Sequence, residues 1–590
     1  MFHMNIARAR HWCRFFGLLA VSVFWGIPVI PSRADEVRQP EETSAIASNR
    51  SVHSTTYMIA AAHPLAAEAG RKVLAAGGTA ADAAVAVQMV LNLVEPQSSG
   101  LGGGAFALYW DAAKQQLSSW DGRETAPLAA TPDYWLGKDS IPIRWPDAVA
   151  GGRSVGVPGT LKLIETLHQT YGNQPWADLL APAITLADQG FTVSPRMAAS
   201  IAGAADFRLA DFATARRYFF DADGLPLPAG HRLRNPEFAK TLRLIASQGS
   251  TPFYQGELAA EIVAATTNAE NPGLLSLEDF RRYRVIQRTP VCAPYRIYAV
   301  CGMGPPSSGG LTVGQIMMLM EPFDLAALGP GAKAYHLFAE ATRLAFADRA
   351  LYMADSDFIP MPKGLLNRQY MDKRSHLIDP ETAMQSASPG QPPWDEARLW
   401  APDLQPERPG TSHFVIVDSY GNMISITTTI ETGFGSRLMV GGFLLNNELT
   451  DFSFAPMHDG KPIANRVEGG KRPRSSMAPT IVLKDGKPIL LTGSPGGSRI
   501  IAYVAQSLIA MLDWRMDPQA AIDLGHVVNR GATTELEEGS NAADLADALT
   551  VMGHEVTIRN LNSGLHVIRI NADGLTGAAD KRREGQVLGD

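Results

Sequence analysis

Residues 410–430 run GTSHFVIVDSYGNMISITTTI and contain two strand-like stretches separated by a turn. Residues 413–418 alternate in polarity, and residues 423–430 are rich in β-branched side chains, including three consecutive threonines. The four residues 419–422 between them are of types that favour turns. The stretch therefore predicts an antiparallel hairpin, in which the start of the first strand lies beside the end of the second.

Thr411 stands at the start of this hairpin, directly after Gly410. A threonine hydroxyl is a weak nucleophile unless a base removes its proton. If the Gly410–Thr411 bond is cut, the new α-amino group of Thr411 is such a base, with an ordinary pKa of about 8. The glycine leaves the preceding carbonyl open to attack, and Thr429 at the end of the second strand is placed to hydrogen-bond the hydroxyl. Because Gly-Thr at a strand start is common, this pattern alone does not separate a catalytic role from a structural one.

Outward from the hairpin, strand-like and helix-like stretches are segregated along the chain. A second hairpin is expected at residues 480–492, and helices are expected at residues 498–513 and 541–552. On the N-terminal side, residues 64–94 predict two helices, and residues 333–352 predict another. Because strands and helices do not alternate regularly, the sequence predicts an α+β fold.

Two irregular segments flank these elements. Residues 385–410 hold six prolines among polar residues, which predicts an extended, exposed segment where a chain can be cut. The glycine-rich run at residues 100–104 lacks the Lys-Ser/Thr ending of a P-loop, so close backbone packing is the better interpretation.

The composition limits the classes of partner. The chain has 590 residues, of which 45% are hydrophobic and 19% charged, so it can bury a large core. The net charge is −7, without a Lys/Arg-rich run, and a nucleic-acid partner is not expected. The 13 histidines show no metal-ligand spacing, so a metal hydrolase is not expected, and neither metal nor cofactor is predicted.

The N-terminal residues are typical of an export signal. Arginines precede an apolar run at residues 15–30, and Ser32-Arg33-Ala34 puts small residues at both positions that a signal peptidase recognises. Residues 1–34 are therefore predicted to be a signal peptide, the mature chain to begin near Asp35, and the protein to be periplasmic or secreted. The alternative is a membrane anchor, but the run falls short of the roughly 20 residues that a spanning helix needs.

Cys292 and Cys301 are the cysteines outside that predicted signal. They bracket an alternating stretch that predicts a hairpin turning near Arg296-Ile297, with the two cysteines facing each other. An oxidising compartment favours a disulfide between them, and the alternative is a pair of free thiols.

Seven stretches, in this order, give the chain a specific resemblance to the γ-glutamyltranspeptidase family over nearly its whole mature length. They are 101–104 (LGGG), 121–124 (DGRE), 305–310 (PPSSGG), the junction before Thr411, 444–452 (LLNNELTDF), 471–477 (KRPRSSM) and 492–497 (TGSPGG).

The resemblance implies a four-layer αββα sandwich of the N-terminal-nucleophile hydrolase type. It implies a precursor that splits into a large subunit, residues 35–410, and a small subunit, residues 411–590, which stay associated as a heterodimer. Thr411 would first cut its own chain and then form a γ-glutamyl ester with a donor such as glutathione. Water, or the amine of an amino acid or peptide, would accept the acyl group.

The resemblance also implies which residues bind the γ-glutamyl group, which carries an α-carboxylate and an α-ammonium. Arg123 matches the arginine that clamps the carboxylate, with Ser475 and Ser476 as hydroxyl donors. Glu448 and Asp451 match the acidic pair that holds the ammonium. From the residues alone, a surface ion pair between Arg123 and its neighbouring glutamate is an equally good interpretation.

Further positions complete the implied site and depart from the family pattern. Gly496 and Gly497 match the oxyanion-hole glycines, although a glycine-rich turn before a helix is often just a cap. Glu431 stands where several members carry Asn, which adds a charge to the ammonium pocket, and Ser412 replaces a second Thr. Residues 453–470 are shorter than in members with a lid and contain no tyrosine, so an open cleft that admits bulkier donors is expected.

Two other functions are compatible with parts of this pattern. A cephalosporin acylase of the same architecture would remove a glutaryl side chain, which has no ammonium, so Glu431, Glu448 and Asp451 favour the γ-glutamyl substrate. A processed but inactive binding module is the other alternative, and the presence of Thr411 together with Arg123 argues against it.

Overall fold

The computed structural model describes residues 50–394, 400–405, 407–408 and 410–590. The predicted signal peptide, residues 1–34, lies outside the described residues. No helix in the described part is long and apolar enough to cross a membrane.

The described strands, in chain order, are β1 (Val52–Ser54), β2 (Met58–Ala61), β3 (Gly104–Asp111), β4 (Gln116–Gly122), β5 (Phe191–Thr192), β6 (Arg232–Leu233), β7 (Ile286–Arg288), β8 (Val291–Tyr295), β9 (Tyr298–Gly302), β10 (Thr411–Val417), β11 (Met423–Thr429), β12 (Met439–Val440), β13 (Phe443–Leu444), β14 (Met457–His458), β15 (Lys461–Pro462), β16 (Thr480–Lys484), β17 (Lys487–Gly493), β18 (Val527–Asn529), β19 (Thr534–Glu537), β20 (Val556–Arg559), β21 (His566–Asn571), β22 (Gly574–Ala579) and β23 (Gln586–Gly589).

The described helices are α1 (Pro64–Ala75), α2 (Ala80–Val94), α3 (Trp145–Val149), α4 (Thr160–Tyr171), α5 (Trp176–Gln189), α6 (Pro195–Ala205), α7 (Ala213–Phe219), α8 (Pro236–Gln248), α9 (Thr251–Gln255), α10 (Glu257–Thr267), α11 (Leu277–Arg282), α12 (Gly309–Met320), α13 (Leu325–Leu328), α14 (Ala332–Tyr352), α15 (Arg368–Ser375), α16 (Ile500–Leu512), α17 (Pro518–Ile522) and α18 (Ala546–Val551). Short 3₁₀ turns at Glu448–Asp451 and Gly497–Arg499 lie beside the site described below.

Two seven-stranded antiparallel sheets form the centre of the molecule. The first sheet has the order β23-β2-β10-β11-β3-β4-β7, and the second has the order β1-β22-β21-β17-β16-β9-β8. In the first sheet, β10 lies between β2 and β11, with Phe414 opposite both Ala61 and Ile426. The predicted hairpin at residues 410–430 is therefore confirmed and occupies the middle of a sheet.

Alternate side chains of β10 enter two different cores, which gives the fold its layers. Phe414 and Ile416 pack with helices α1 and α2 on the outer face of the first sheet. Val415 and Val417 pack against the second sheet, in a core shared with Leu491. On the outer face of the second sheet, helices α12, α14 and α16 form a third core. The predicted α+β fold and its αββα layering are confirmed.

Several local predictions are confirmed as well. The hairpin of β16 and β17 turns at Asp485-Gly486. The hairpin of β8 and β9 sets Cys292 opposite Cys301, and these two cysteines form a disulfide.

The segment before Thr411 differs from its prediction. Residues 385–394 and 400–405 contain no helix or strand, as expected, but the expected exposure is wrong close to the junction. Asp403 and Gly410 are buried, and the Glu407 side chain is only 6% exposed. The reason is a set of side-chain anchors, since Asp403 pairs with Arg474, and the Gln405 amide donates a hydrogen bond to the Thr450 carbonyl.

Candidate active site

The central hairpin positions Thr411 and Thr429 opposite each other. They are register partners at the ends of β10 and β11, and both are buried. The Thr429 hydroxyl donates to the Gly410 carbonyl oxygen at 2.6 Å and accepts from the Glu431 amide at 2.7 Å. In the uncleaved chain, Thr429 therefore contacts the carbonyl of the bond that precedes Thr411.

The glycine-rich run of residues 100–104 packs tightly against this end of the hairpin. A Cβ at Gly103 would lie 1.9 Å from the Thr429 carbonyl oxygen, and a Cβ at Gly104 would lie 2.1 Å from Glu124 Oε2. Real Cβ atoms do not approach a backbone oxygen so closely, so only glycine fits at position 103. The interpretation of this run as a close-packing element is confirmed.

Gly496 and Gly497 form the turn that links β17 to helix α16. Their φ angles are +136° and +59°, values that favour glycine. The turn continues into the 3₁₀ helix Gly497–Arg499, and Gly497 lines the same cavity as Thr411. Backbone N–H groups at such a helix start can stabilise a developing negative charge.

Arg123 lies at the centre of a buried acidic group, and the alternative of a surface ion pair is wrong. Its guanidinium pairs with Glu448 and, at 2.6 Å, with Asp451 Oδ2, while its side chain is 1% exposed. The same guanidinium donates to the backbone carbonyls of Pro473 and Arg474. The expected carboxylate-binding and ammonium-binding residues thus contact one another in this state.

The acids around Arg123 have unusual protonation behaviour because they are buried together. Burial raises the pKa of Glu448 to about 7 and that of Asp451 to about 6, although the Arg123 charge opposes both shifts. Burial and the neighbouring acids hold the pKa values of Glu124 and Glu431 well above their ordinary range. Both shifts favour the neutral form of these two carboxyl groups.

This acidic group suits a compact cation. One carboxylate oxygen each from Glu431, Glu448 and Asp451 lies within 4.8 Å of the others. Ionised Glu448 and Asp451 carry two negative charges against the single positive charge of Arg123, which leaves a net charge of −1. An ammonium group is one cation that matches this arrangement, and a metal ion is chemically another.

Ser475 and Ser476 follow Arg474 along the wall of the cavity. Ser475 Oγ accepts a hydrogen bond from the Met477 amide at 3.1 Å. Ser476 Oγ donates to Glu407 Oε2 at 2.5 Å, so this hydroxyl already contacts a carboxylate of the chain itself.

Several residues of the site were missed from the sequence. Glu407 pairs with Arg349 and, at 3.1 Å, with Arg474 Nε. Arg583, near the C-terminus, donates from Nη1 to the Thr411 carbonyl oxygen at 2.9 Å. These side chains come from positions far apart in the chain, and no local pattern marks them.

A cavity beside Thr411 is lined by most of the predicted site residues. The free space amounts to about 20 Å³, room for roughly one water molecule. Its lining comprises Arg123, Glu407, Arg408, Thr411, Thr429, Glu431, Glu448, Asp451, Ser475, Ser476, Met477, Gly497 and Ile500. The sequence-predicted residues absent from this lining are Gly410, which is joined to Thr411, and Gly496, which precedes Gly497.

A four-layer αββα fold with a threonine at the head of a central strand is the architecture of the N-terminal-nucleophile hydrolases, a class of enzymes. The family model for gamma-glutamyltranspeptidase matches residues 66–590. The chain belongs to the γ-glutamyltranspeptidase family.

Known proteins similar to the chain include both a glutathione hydrolase and acylases. The glutathione hydrolase proenzyme of Bacillus subtilis (strain 168) is 36% identical over 545 residues, which cover 90% of this chain and 91% of that protein. The acylase ACY 1 proenzyme of Pseudomonas sp. (strain SE83) is 35% identical, with coverage of 90% and 92%. The crystal structure of cephalosporin acylase from Bacillus halodurans superposes with a TM-score of 0.81 at 29% identity, covering 92% of this chain and 97% of that one.

Proposed function

We propose that this chain is the precursor of a γ-glutamyl hydrolase and transferase that uses Thr411 as its nucleophile. Its substrates are γ-glutamyl amides such as glutathione, and its acceptors are water or the amine of an amino acid or peptide. One observation carries the proposal. Arg123 and its two acidic partners, Glu448 and Asp451, line the cavity that contains Thr411, so charges of both signs stand beside the nucleophile.

Self-cleavage begins with attack of Thr411 Oγ on the Gly410 carbonyl carbon. The Gly410–Thr411 C–N bond breaks, an ester forms through Oγ, and the hydroxyl proton passes to the departing nitrogen. Water then hydrolyses the ester, which leaves a Gly410 carboxylate and restores the Thr411 hydroxyl beside a free α-amino group. The hydrogen bond from Thr429 to the Gly410 carbonyl supports the first step because it polarises the bond under attack.

The two products, residues 35–410 and 411–590, are expected to remain associated because they share both sheets. The first sheet takes β2, β3, β4 and β7 from the large subunit and β10, β11 and β23 from the small one. The second sheet takes β1, β8 and β9 from the large subunit and the other four strands from the small one. Separation would expose the strand hydrogen bonds and the core between them, which is strongly unfavourable.

Turnover repeats the same chemistry on an external amide. The α-amino group of Thr411 takes the hydroxyl proton, Oγ attacks the γ-carbonyl carbon, and the leaving amine receives that proton. Backbone N–H groups of Gly496 and Gly497 would stabilise the negative oxygen of the tetrahedral intermediate. Attack of water or an amine on the γ-glutamyl ester then regenerates the free enzyme.

The charge balance of the cavity favours a zwitterionic donor group. A γ-glutamyl group brings one carboxylate for Arg123, with Ser475 beside it, and one ammonium for Glu448 and Asp451, so it adds no net charge. Glu431 lies close enough to take part in holding the ammonium. A zwitterion can therefore exchange partners with the existing ion pairs, and no buried charge is left unpaired.

The glutaryl acylase is the second candidate, and the likeness to two acylases favours it. The lack of an ammonium in glutaryl would not leave these acids without a positive partner, because Arg123 already faces Glu448 and Asp451. A weaker argument remains. Glutaryl would bring a negative charge close to Glu448 and Asp451, and it supplies no ammonium to pair with them.

The deciding experiment compares a γ-glutamyl anilide with a glutaryl anilide on purified, processed protein, each with and without a dipeptide acceptor. A higher kcat/KM for the γ-glutamyl compound is expected, and acceleration by the dipeptide identifies transfer. A higher kcat/KM for the glutaryl compound would replace this proposal with the acylase.

Export through a signal peptide at residues 1–34 is part of the same proposal. The disulfide between Cys292 and Cys301 supports it, because such bonds persist in oxidising compartments. A mature N-terminus near Asp35 in protein recovered from outside the cytoplasm is the expected result, and an intact Met1 on that material would contradict it.

A further inference from the structure

Glu407 holds a position in the cavity that the proposed chemistry does not use. Its carboxylate pairs with Arg349 and with Arg474 Nε, and it accepts a hydrogen bond from Ser476 Oγ. Arg349 Nη2 also donates to Ser476 Oγ at 2.8 Å, and Arg349 Nε donates to Ser308 Oγ at 2.8 Å. Three groups that suit a carboxylate therefore converge on the Glu407 carboxylate, which belongs to the chain itself.

Glu407 lies in the chain just before the bond that is cut in self-cleavage. It stands three residues before Gly410, whose carbonyl is the acyl group in self-cleavage. Its carboxylate is thus attached to the acyl side of the bond that Thr411 attacks. The α-carboxylate of a γ-glutamyl donor is likewise attached to the acyl side of its scissile amide.

The space in the cavity is small while Glu407 lies in it. Glu407 and Thr411 line the same cavity, which leaves about 20 Å³ free. That volume accommodates roughly one water molecule and not a glutamyl group. Glu407 therefore occupies space beside Thr411 that an external amide would need.

The surrounding charges hold Glu407 firmly in the uncleaved chain. Its side chain and that of Arg349 are each 6% exposed, and that of Arg474 is 1% exposed. Burial disfavours the charged carboxylate, but Arg349 and Arg474 outweigh it and lower the Glu407 pKa to about 2. A buried arginine that loses its carboxylate partner is strongly destabilised, so this pairing anchors the segment before the cleavage site.

We propose that Glu407 is an internal ligand of the uncleaved chain. Its carboxylate occupies a cationic subsite formed by Arg349, Arg474 and Ser476, and so holds the Gly410 carbonyl in place for attack by Thr411. Glu407 is a positioning residue, because it acts through the segment that it anchors. The inference rests on the proposed self-cleavage and adds the subsite that directs it.

The test follows self-cleavage of purified precursor over time on denaturing gels, with no donor present. Glu407→Gln and Glu407→Ala should cleave at least tenfold more slowly than the unchanged chain. Acetate should not restore the cleavage rate of Glu407→Ala, because a free carboxylate can pair with Arg349 and Arg474 but is not attached to the segment that carries Gly410.

Glu270→Gln is the matched control, since Glu270 also pairs with an arginine but is 76% exposed at the surface. It should cleave at the unchanged rate. If Glu407→Gln does not fold, Glu407→Asp keeps the charge, and its shorter side chain should still slow cleavage by displacing Gly410.

Two outcomes overturn the inference. The first is cleavage of the folded Glu407 variants at the unchanged rate. The second is recovery of the Glu407→Ala cleavage rate in acetate, which would mean that Glu407 acts only by pairing the buried arginines and not by anchoring the segment before Thr411. Failure of the unchanged chain to cleave would instead contradict the proposed function, so the two failures are distinguishable.

Discussion

The hydroxyl of Thr429 donates a hydrogen bond to the carbonyl oxygen of Gly410 at 2.6 Å, across the hairpin from Thr411. The donor therefore touches the carbonyl whose carbon the neighbouring threonine would attack. A hydrogen bond that strengthens as negative charge develops on this oxygen lowers the barrier to self-cleavage.

Replacement of Thr429 by alanine should slow self-cleavage by about 10²-fold, the usual effect of losing one oxyanion donor. Thr429→Ser keeps the hydroxyl and should cleave within a few-fold of the unchanged rate. The half-time for appearance of the two fragments measures both variants. Equal rates for the alanine and serine variants would show that the hydroxyl has no role.

Arg123→Lys should raise KM for a γ-glutamyl anilide by about tenfold or more, because a lost charge-assisted hydrogen bond is worth roughly 1.5–3 kcal/mol. The effect should fall mainly on KM, since Arg123 binds the donor and does not touch the reacting bond. Arg208→Lys, at an exposed ion pair, is the control and should leave KM unchanged. An Arg123→Lys variant with the original KM would put this side chain outside the donor site.

The pH dependence of KM follows from the two acids that face Arg123. The pKa of Glu448 is raised to about 7 and that of Asp451 to about 6, so both lose their negative charge as the pH falls through this range. Their protonated forms attract an ammonium poorly. KM for γ-glutamyl donors should therefore rise as the pH is lowered from about 8 to below 6. A KM that stays constant across this window would contradict the assignment of these acids to the ammonium.

Removal of the disulfide should affect stability and leave catalysis intact. The bond closes a short loop between Cys292 and Cys301 at the far edge of the second sheet. For a loop of this length, the expected loss is about 2–3 kcal/mol in free energy of unfolding. The double variant Cys292→Ser/Cys301→Ser should melt at a lower temperature with unchanged kcat and KM, and an unchanged melting temperature would contradict this.

The elements predicted from the sequence were those with strong local patterns. The hairpin at residues 410–430 and the glycine run at residues 100–104 each carry their own signal, in alternation, turn residues or glycine spacing. The αββα layering came from the family resemblance, because side chains of β10 are buried on both faces and do not indicate which layers cover them.

The contacts between distant charges could not be predicted in this way. The pairing of Arg123 with Glu448 and Asp451 depends on the folded cavity, although all three residues were identified individually. Arg349 lies within helix α14, which was predicted as a helix without any of its residues being assigned to the site. Glu407 sits in a proline-rich segment that was expected to be exposed, and only its ion pairs show that it enters the site.

The most direct test of the account is the fate of the Gly410–Thr411 bond in the unchanged chain and in Thr411→Ala. Intact-mass measurement and N-terminal sequencing of the unchanged protein should give a fragment that begins at Thr411 and gains the mass of one γ-glutamyl group when a donor is added. Thr411→Ala should remain a single chain without activity. A Thr411→Ala protein that still splits at this bond and turns over the donor would contradict the account.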